Sequence, residues 1–320
     1  MSTILAVTVP FFALVLAGYL AGRQHVLPES AIPGLNAYVL YFALPALLFR
    51  FGATTPLVQL FDPVVAGLYL VCALSMVGFT IAVSLDEQVG LKDASFGALV
   101  AAFPNTGFMG VPLLVALLGA AAAGPVIGTV LCDLFVTSSL CIALSQLQGS
   151  AVHGARTAAL RALRGALVNP LPWAIALGAL LGGLGSRLPG PIDTIVRMLA
   201  DSAAPVALFT IGTVLWRAGQ HAHTATPLRH YLPIALIKLL LHPLLVLLAG
   251  SAARRLGLPL SSFQLTVLVL AAALPSASSV SLLAERYQAD NGRIARIILS
   301  STALAFGSFS LLAWGLGVRP

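Results

Sequence analysis

Long apolar runs separated by short polar stretches set the rhythm of this chain. Ten runs approach the roughly 20 residues that carry a helix across a bilayer. They are Ile4–Ala21, Ile32–Phe49, Pro63–Leu85, Ala94–Leu118, Pro125–Leu144, Leu167–Leu184, Ile192–Leu215, Leu232–Ala249, Ser262–Ala284 and Ile294–Val318. The third carries no Asp, Glu, Lys or Arg; the sixth is short, and prolines interrupt the fourth and ninth. The pattern predicts an all-α membrane protein with ten transmembrane helices.

Composition agrees. Of 320 residues, 59% are hydrophobic and only 8% charged, where a water-soluble domain carries about 25% charged residues. The net charge of +7 is spread over arginines standing singly or in small groups, so no nucleic-acid partner is expected. Arg23, Lys92, Arg156, Arg161, Arg164, Arg217, Arg229, Arg286, Arg293 and Arg296 border the loops after odd-numbered runs. Arg50, Arg187, Arg197, Arg254, Arg255 and Arg319 border the others. Positive charge gathers on the cytoplasmic side, which places the odd-numbered loops there and both termini in the extracellular or periplasmic space. The expected location is a cell membrane crossed many times, a bacterial inner membrane.

Cys72, Cys132 and Cys141 all lie in apolar runs and read as packing residues. No metal-ligand spacing, paired catalytic carboxylates or nucleophile motif is found, so neither an enzyme nor a metal or cofactor is expected.

The two halves echo one another. Pro10, Gly18, Pro45, Phe49 and Gly52 recur 160 positions later as Pro170, Gly178, Pro205, Phe209 and Gly212. Five helices per half is an odd number, so two such halves insert with opposite topology, an arrangement typical of secondary transporters. The expected organisation is a first five-helix repeat over 1–145, a cytoplasmic linker over 146–165 and a second repeat over 166–320.

The candidate chemistry sits where the fourth and ninth runs break. Pro104 lacks an N–H and disfavours helix at Phe103, while Asn105 and Thr106 are good caps for a second half-helix and Gly107 permits close approach. Pro275, followed by Ser276, Ser278 and Ser279, repeats the arrangement in the second half. Two half-helix N-termini facing the membrane centre offer N–H donors and partial positive charge to an anion. Ionisable residues inside the runs are costly and so point to function. Asp201 and Asp133 are candidates for a coupling proton. Lys238 either faces an anion or snorkels to the headgroups, and His242 reads as a packing residue.

At the fourth run the chain resembles the auxin efflux carrier family, which includes plant PIN-type auxin carriers and bacterial malonate or malate carriers. The string Phe103-Pro-Asn-Thr-Gly-Phe-Met-Gly-Val-Pro-Leu113 is similar to that family's Leu-Pro-Asn-Thr…Met-Gly-Ile-Pro-Leu segment. Leu35-Asn36 with Phe42-Ala-Leu-Pro-Ala-Leu-Leu-Phe49, Lys238-Leu-Leu-Leu-His-Pro243 and Leu283-Ala-Glu-Arg-Tyr287 are weaker echoes. The resemblance implies two inverted repeats, a scaffold and a transport domain, and substrate bound where the broken helices cross, at Pro104, Asn105 and Pro275. It departs in having Ser276 and Ser278 at the ninth-helix break and no carboxylate within the third run. The expected partners are a small organic anion and membrane lipid, with a second copy of the chain as a candidate. A sodium-coupled organic-anion symporter and a non-transporting receptor are the alternatives; the symporter is weakened by the lack of Glu or Gln beside either proline.

Overall fold

The computed structural model describes residues 1–60, 62–147, 160, 164, 167–220 and 226–318. Most of the predicted linker, with Arg156 and Arg161, and Arg319 at the end of the chain lie outside the described residues. The described residues are helical, without a strand. We label the helices α1 (Ser2–Arg23), α2 (Glu29–Thr54), α3 (Pro63–Ser84), α4 (Leu91–Ala102), α5 (Thr106–Leu118) and α6 (Ala120–Ser145). They continue as α7 (Pro170–Gly183), α8 (Gly190–Gln220), α9 (Leu228–Arg255), α10 (Ser262–Ala273), α11 (Ser279–Arg286) and α12 (Asn291–Gly315). Each predicted run falls on helix. Among the described residues seven helices are long and apolar enough to cross a membrane: α1, α2, α3, α6, α8, α9 and α12. The others are shorter because two runs are cut in half and α7 has only 14 residues.

Local chemistry sets the helix starts. Asp62 accepts from the Val64 and Val65 amides at 2.9 and 3.1 Å, with Pro63 opening α3. Asn169 accepts from Leu171 at 3.0 Å ahead of Pro170, which opens α7. Ser261 and Gln264 form a reciprocal capping box on α10, and the Gln264 amide also donates to Asp62 at 2.8 Å, joining the starts of α3 and α10. Wide π-type turns at Val39–Ala43, Thr106–Gly110 and Ile237–Leu241 each end two residues before a proline, Pro45, Pro112 or Pro243. A proline ring clashes with the carbonyl of the preceding turn and leaves it unbonded, and a widened turn absorbs both effects.

The helices pack as two groups. In the first, α1 lies against α8 and α2 against α7, with α8 also touching α2. Both main contacts are made through glycine. A Cβ on Gly18 would overlap the Phe209 carbonyl and one on Gly212 the Val15 carbonyl. In the same way, a Cβ on Gly178 would overlap the Phe49 carbonyl, and one on Gly52 would lie 2.6 Å from the Ile175 carbonyl oxygen. Small residues let backbones approach this closely where lipid supplies no hydrophobic drive.

The second group comprises α3 to α6 and α9 to α12. Its centre is α4 and α10, where Ala94–Ala102 and Val267–Ala273 are buried without a solvent-facing stripe, as expected of helices that are apolar all round. The groups meet along α8, which lies against α12 and the first turn of α5, and along α1, which lies against α12 and the rest of α5.

Candidate functional site

The two proline breaks come together. Phe103 and Leu274, the residues before the prolines, are extended (φ −99°, ψ 98° and φ −61°, ψ 154°), as the ring of a following proline demands. The extended segments cross antiparallel as a short bridge of Pro104 with Ser276. The Asn105 amide donates to the Pro275 carbonyl at 2.8 Å and the Ala277 amide to the Phe103 carbonyl at 3.0 Å. Each break thus satisfies backbone groups that the other has freed, which backbone inside a bilayer requires.

What remains unsatisfied defines the site. Gly107, Phe108, Ser278 and Ser279 open α5 and α11, and no backbone bond among the described residues takes up their amides. The Ser276 amide reaches Ser301 Oγ at 3.2 Å, but its own hydroxyl is buried without a partner among the described residues. Asn105 is 2% exposed. Its side chain makes no cap, contrary to the sequence expectation; its carbonyl instead accepts from Met109 and Gly110, at 3.1 and 2.9 Å. Thr106 is also no cap: its hydroxyl turns back to the Pro104 carbonyl at 3.4 Å. Gly107 faces open space.

A narrow cavity of about 10 Å³, room for about one water, adjoins the crossing and lies between the two helix groups. Phe108 and Ser278 form one wall; Asn36 and Val39 of α2 with Ala207, Thr210, Ile211 and Val214 of α8 form the other. Asn36 and Val214 also line a larger vestibule of about 320 Å³, whose lining includes Arg217 and Glu285. The sequence reading missed this far wall. A lone Asn and Thr in apolar helices give no pattern, although Asn36 stands in one of the strings carrying the family resemblance.

The charged candidates part company. Asp201 is not with the crossing: it lies exposed, 3.6 Å from Arg50. Asp133 and Lys238 are fully buried in the second group. Tyr69 Oη donates to Asp133 Oδ2 at 2.7 Å and Thr137 to Oδ1 at 3.0 Å. Lys238 does not snorkel. Its ammonium donates to the Ala272 carbonyl at 2.6 Å, in the last turn of α10 before the break, and lies 3.1 Å from His242 Nδ1. No ion pair within 4 Å joins Asp133 to Lys238.

Comparison with known proteins adds context to this geometry. A family model described as membrane transport protein matches residues 3–313. A Rhizobium meliloti (strain 1021) protein named as a malonate transporter is 29% identical, over 98% of this chain and 96% of its own length. The transporter YfdV of Escherichia coli (strain K12) is 28% identical over 87% and 86% of the two chains. Auxin efflux carrier component 8 of Arabidopsis thaliana is 23% identical over 85% and 86%.

Proposed function

Because the chain belongs to the membrane transport protein family, which takes in the auxin efflux carriers, we propose that it is a secondary transporter of a small organic anion, a carboxylate such as malonate or malate, moved by alternating access. The observation that carries this reading is the crossing of the two broken helices. Of the residues whose amides are left free there, Gly107, Phe108, Ser278 and Ser279, two, Phe108 and Ser278, line a cavity between the two helix groups. Such amides bind a carboxylate without a buried lysine. Pro104, Asn105, Thr106, Gly107, Pro275, Ser276, Ser278 and Ser279 are proposed as the substrate site. The name of the Rhizobium relative favours malonate among the carboxylates.

In this reading the ten runs are ten transmembrane helices in two inverted repeats, 1–145 and 166–320, with the termini outside. The glycine contacts support it. A shift of 160 positions takes Gly18 to Gly178 and Gly52 to Gly212, so the contact of Gly18 with the turn of Gly212 corresponds to that of Gly178 with the turn of Gly52. That exchange of partners is what a pseudo-twofold axis produces. The group of α1, α2, α7 and α8 is the proposed scaffold, and the other group moves against it.

Lys238 bears on the sodium-coupled alternative. The carbonyl ends of broken transporter helices are where coupling cations bind, and here a tethered ammonium bonds the Ala272 carbonyl. We therefore assign the Asp133–Lys238 pair, ahead of exposed Asp201, as the charge element of a sodium-independent carrier. The test is exchange of radiolabelled malonate by proteoliposomes holding the purified protein. Saturable, sodium-independent exchange is expected. Flux that does not saturate, or none with any carboxylate, overturns the reading.

A further inference from the structure

The wall facing the crossing carries its own recognition chemistry. Its six residues offer two polar side chains, Asn36 and Thr210. The Thr210 hydroxyl proton is committed to the Val206 carbonyl at 2.6 Å, so its oxygen is left only to accept. Asn36 Nδ2 is then the one side-chain donor on that wall. The Asn36 amide makes no hydrogen bond to another described residue and opens into both the cavity and the vestibule. Across the cavity, Ser278 is 6% exposed, and its hydroxyl has no partner among the described residues. The cavity is therefore polar at two opposite points and apolar between them, with Val39, Phe108, Ala207, Ile211 and Val214 in the remaining positions.

Among the described residues neither wall of this cavity carries an ionisable side chain; Arg217 and Glu285 line the vestibule, where Arg217 is paired with Glu29 at 3.1 Å, and Asp133 and Lys238 lie within the second group and do not line the cavity. A single carboxylate can accept from the free amides of Phe108 and Ser278. A second full negative charge on the far wall would be buried without a counter-charge, at a cost one neutral amide does not offset. A protonated carboxyl group avoids that cost. Its carbonyl oxygen accepts from Asn36 Nδ2, and its O–H donates to Asn36 Oδ1 or Thr210 Oγ1.

We propose, resting on the carrier reading above, that Asn36 is the specificity residue for the second carboxyl group of a short dicarboxylic acid, and that this acid is carried in its singly charged form. The proton accompanying transport then travels on the substrate. No bond to carbon is made or broken; the group is protonated in the aqueous vestibule and loses its proton on release.

The experiment uses the full-length protein in proteoliposomes with radiolabelled malonate, and acetate and monomethyl malonate as competitors. For the wild type, apparent malonate affinity should fall about tenfold per pH unit above the acid's second ionisation, while competition by permanently monoanionic monomethyl malonate stays flat. Asn36→Ala should weaken malonate about tenfold, the loss of one substrate hydrogen bond, and leave acetate competition unchanged. Asn36→Asp, nearly the same size, should weaken malonate at least as much; its gel-filtration profile reports folding independently. Equal losses for malonate and acetate in both variants, or malonate affinity independent of pH, would overturn the proposal. Exchange of monocarboxylates alone also overturns it but leaves the carrier standing. Absence of any carboxylate exchange by the wild type removes the carrier reading itself.

Discussion

Asn105 shows how one residue changes meaning between sequence and structure. Its amide N–H is spent on Pro275, its carbonyl closes the wide first turn of α5, and its buried side chain caps nothing. Replacing it by alanine removes a proposed substrate contact and no helix cap. Asn105→Ala is expected to weaken substrate binding about tenfold, the worth of one hydrogen bond of about 1.4 kcal/mol, with an unchanged melting temperature. Calorimetry and thermal unfolding in detergent check the two halves of that statement. The buried pair behaves oppositely. Asp133→Asn replaces one of the two carboxylate oxygens that accept from Tyr69 and Thr137 by a donor and alters the surroundings of Lys238, a loss of about 1–3 kcal/mol. The double variant Asp133→Asn with Lys238→Met is expected to melt higher than Asp133→Asn alone. Additive losses would show that the charges do not depend on each other.

At the scale of helices, close glycine contacts hold the scaffold. Gly212→Ala and Gly178→Ala each push a Cβ into a facing carbonyl, and each should lower stability by about 1–3 kcal/mol. Gly67→Ala, whose Cβ would meet nothing within 4 Å, is the control. Thermal unfolding of the three variants side by side decides it; equal melting of all three would contradict the packing. These elements also mark what the sequence could tell. The breaks at Pro104 and Pro275 were legible because proline acts on its immediate neighbour. That the two segments would bond each other was not, since backbone pairing leaves no mark on residue type. Lys238 was misread for a related reason. Distance along a helix placed it within reach of the headgroups, but its partner, the Ala272 carbonyl, belongs to another helix and is invisible in linear order. Tyr69 as the donor to Asp133 and Asn36 as a wall of the cavity were missed likewise, each being brought into place by packing alone.

The whole molecule sets the group of α1, α2, α7 and α8 against a second group carrying both breaks, with a cavity between them. A carrier built this way exposes the crossing to one side of the membrane and then to the other. Gly107 is suited to reporting on it, because it stands at the start of α5 with nothing within 4 Å of an added Cβ. The most direct measurement places Gly107→Cys in a background lacking Cys72, Cys132 and Cys141 and follows its reaction with a membrane-impermeant maleimide. The reagent is added from the outside of intact cells and, separately, to inside-out vesicles. Labelling from both sides is expected, with saturating malonate slowing the reaction from each. Labelling from one side only, at a rate that no carboxylate alters, would contradict alternating access at the crossing.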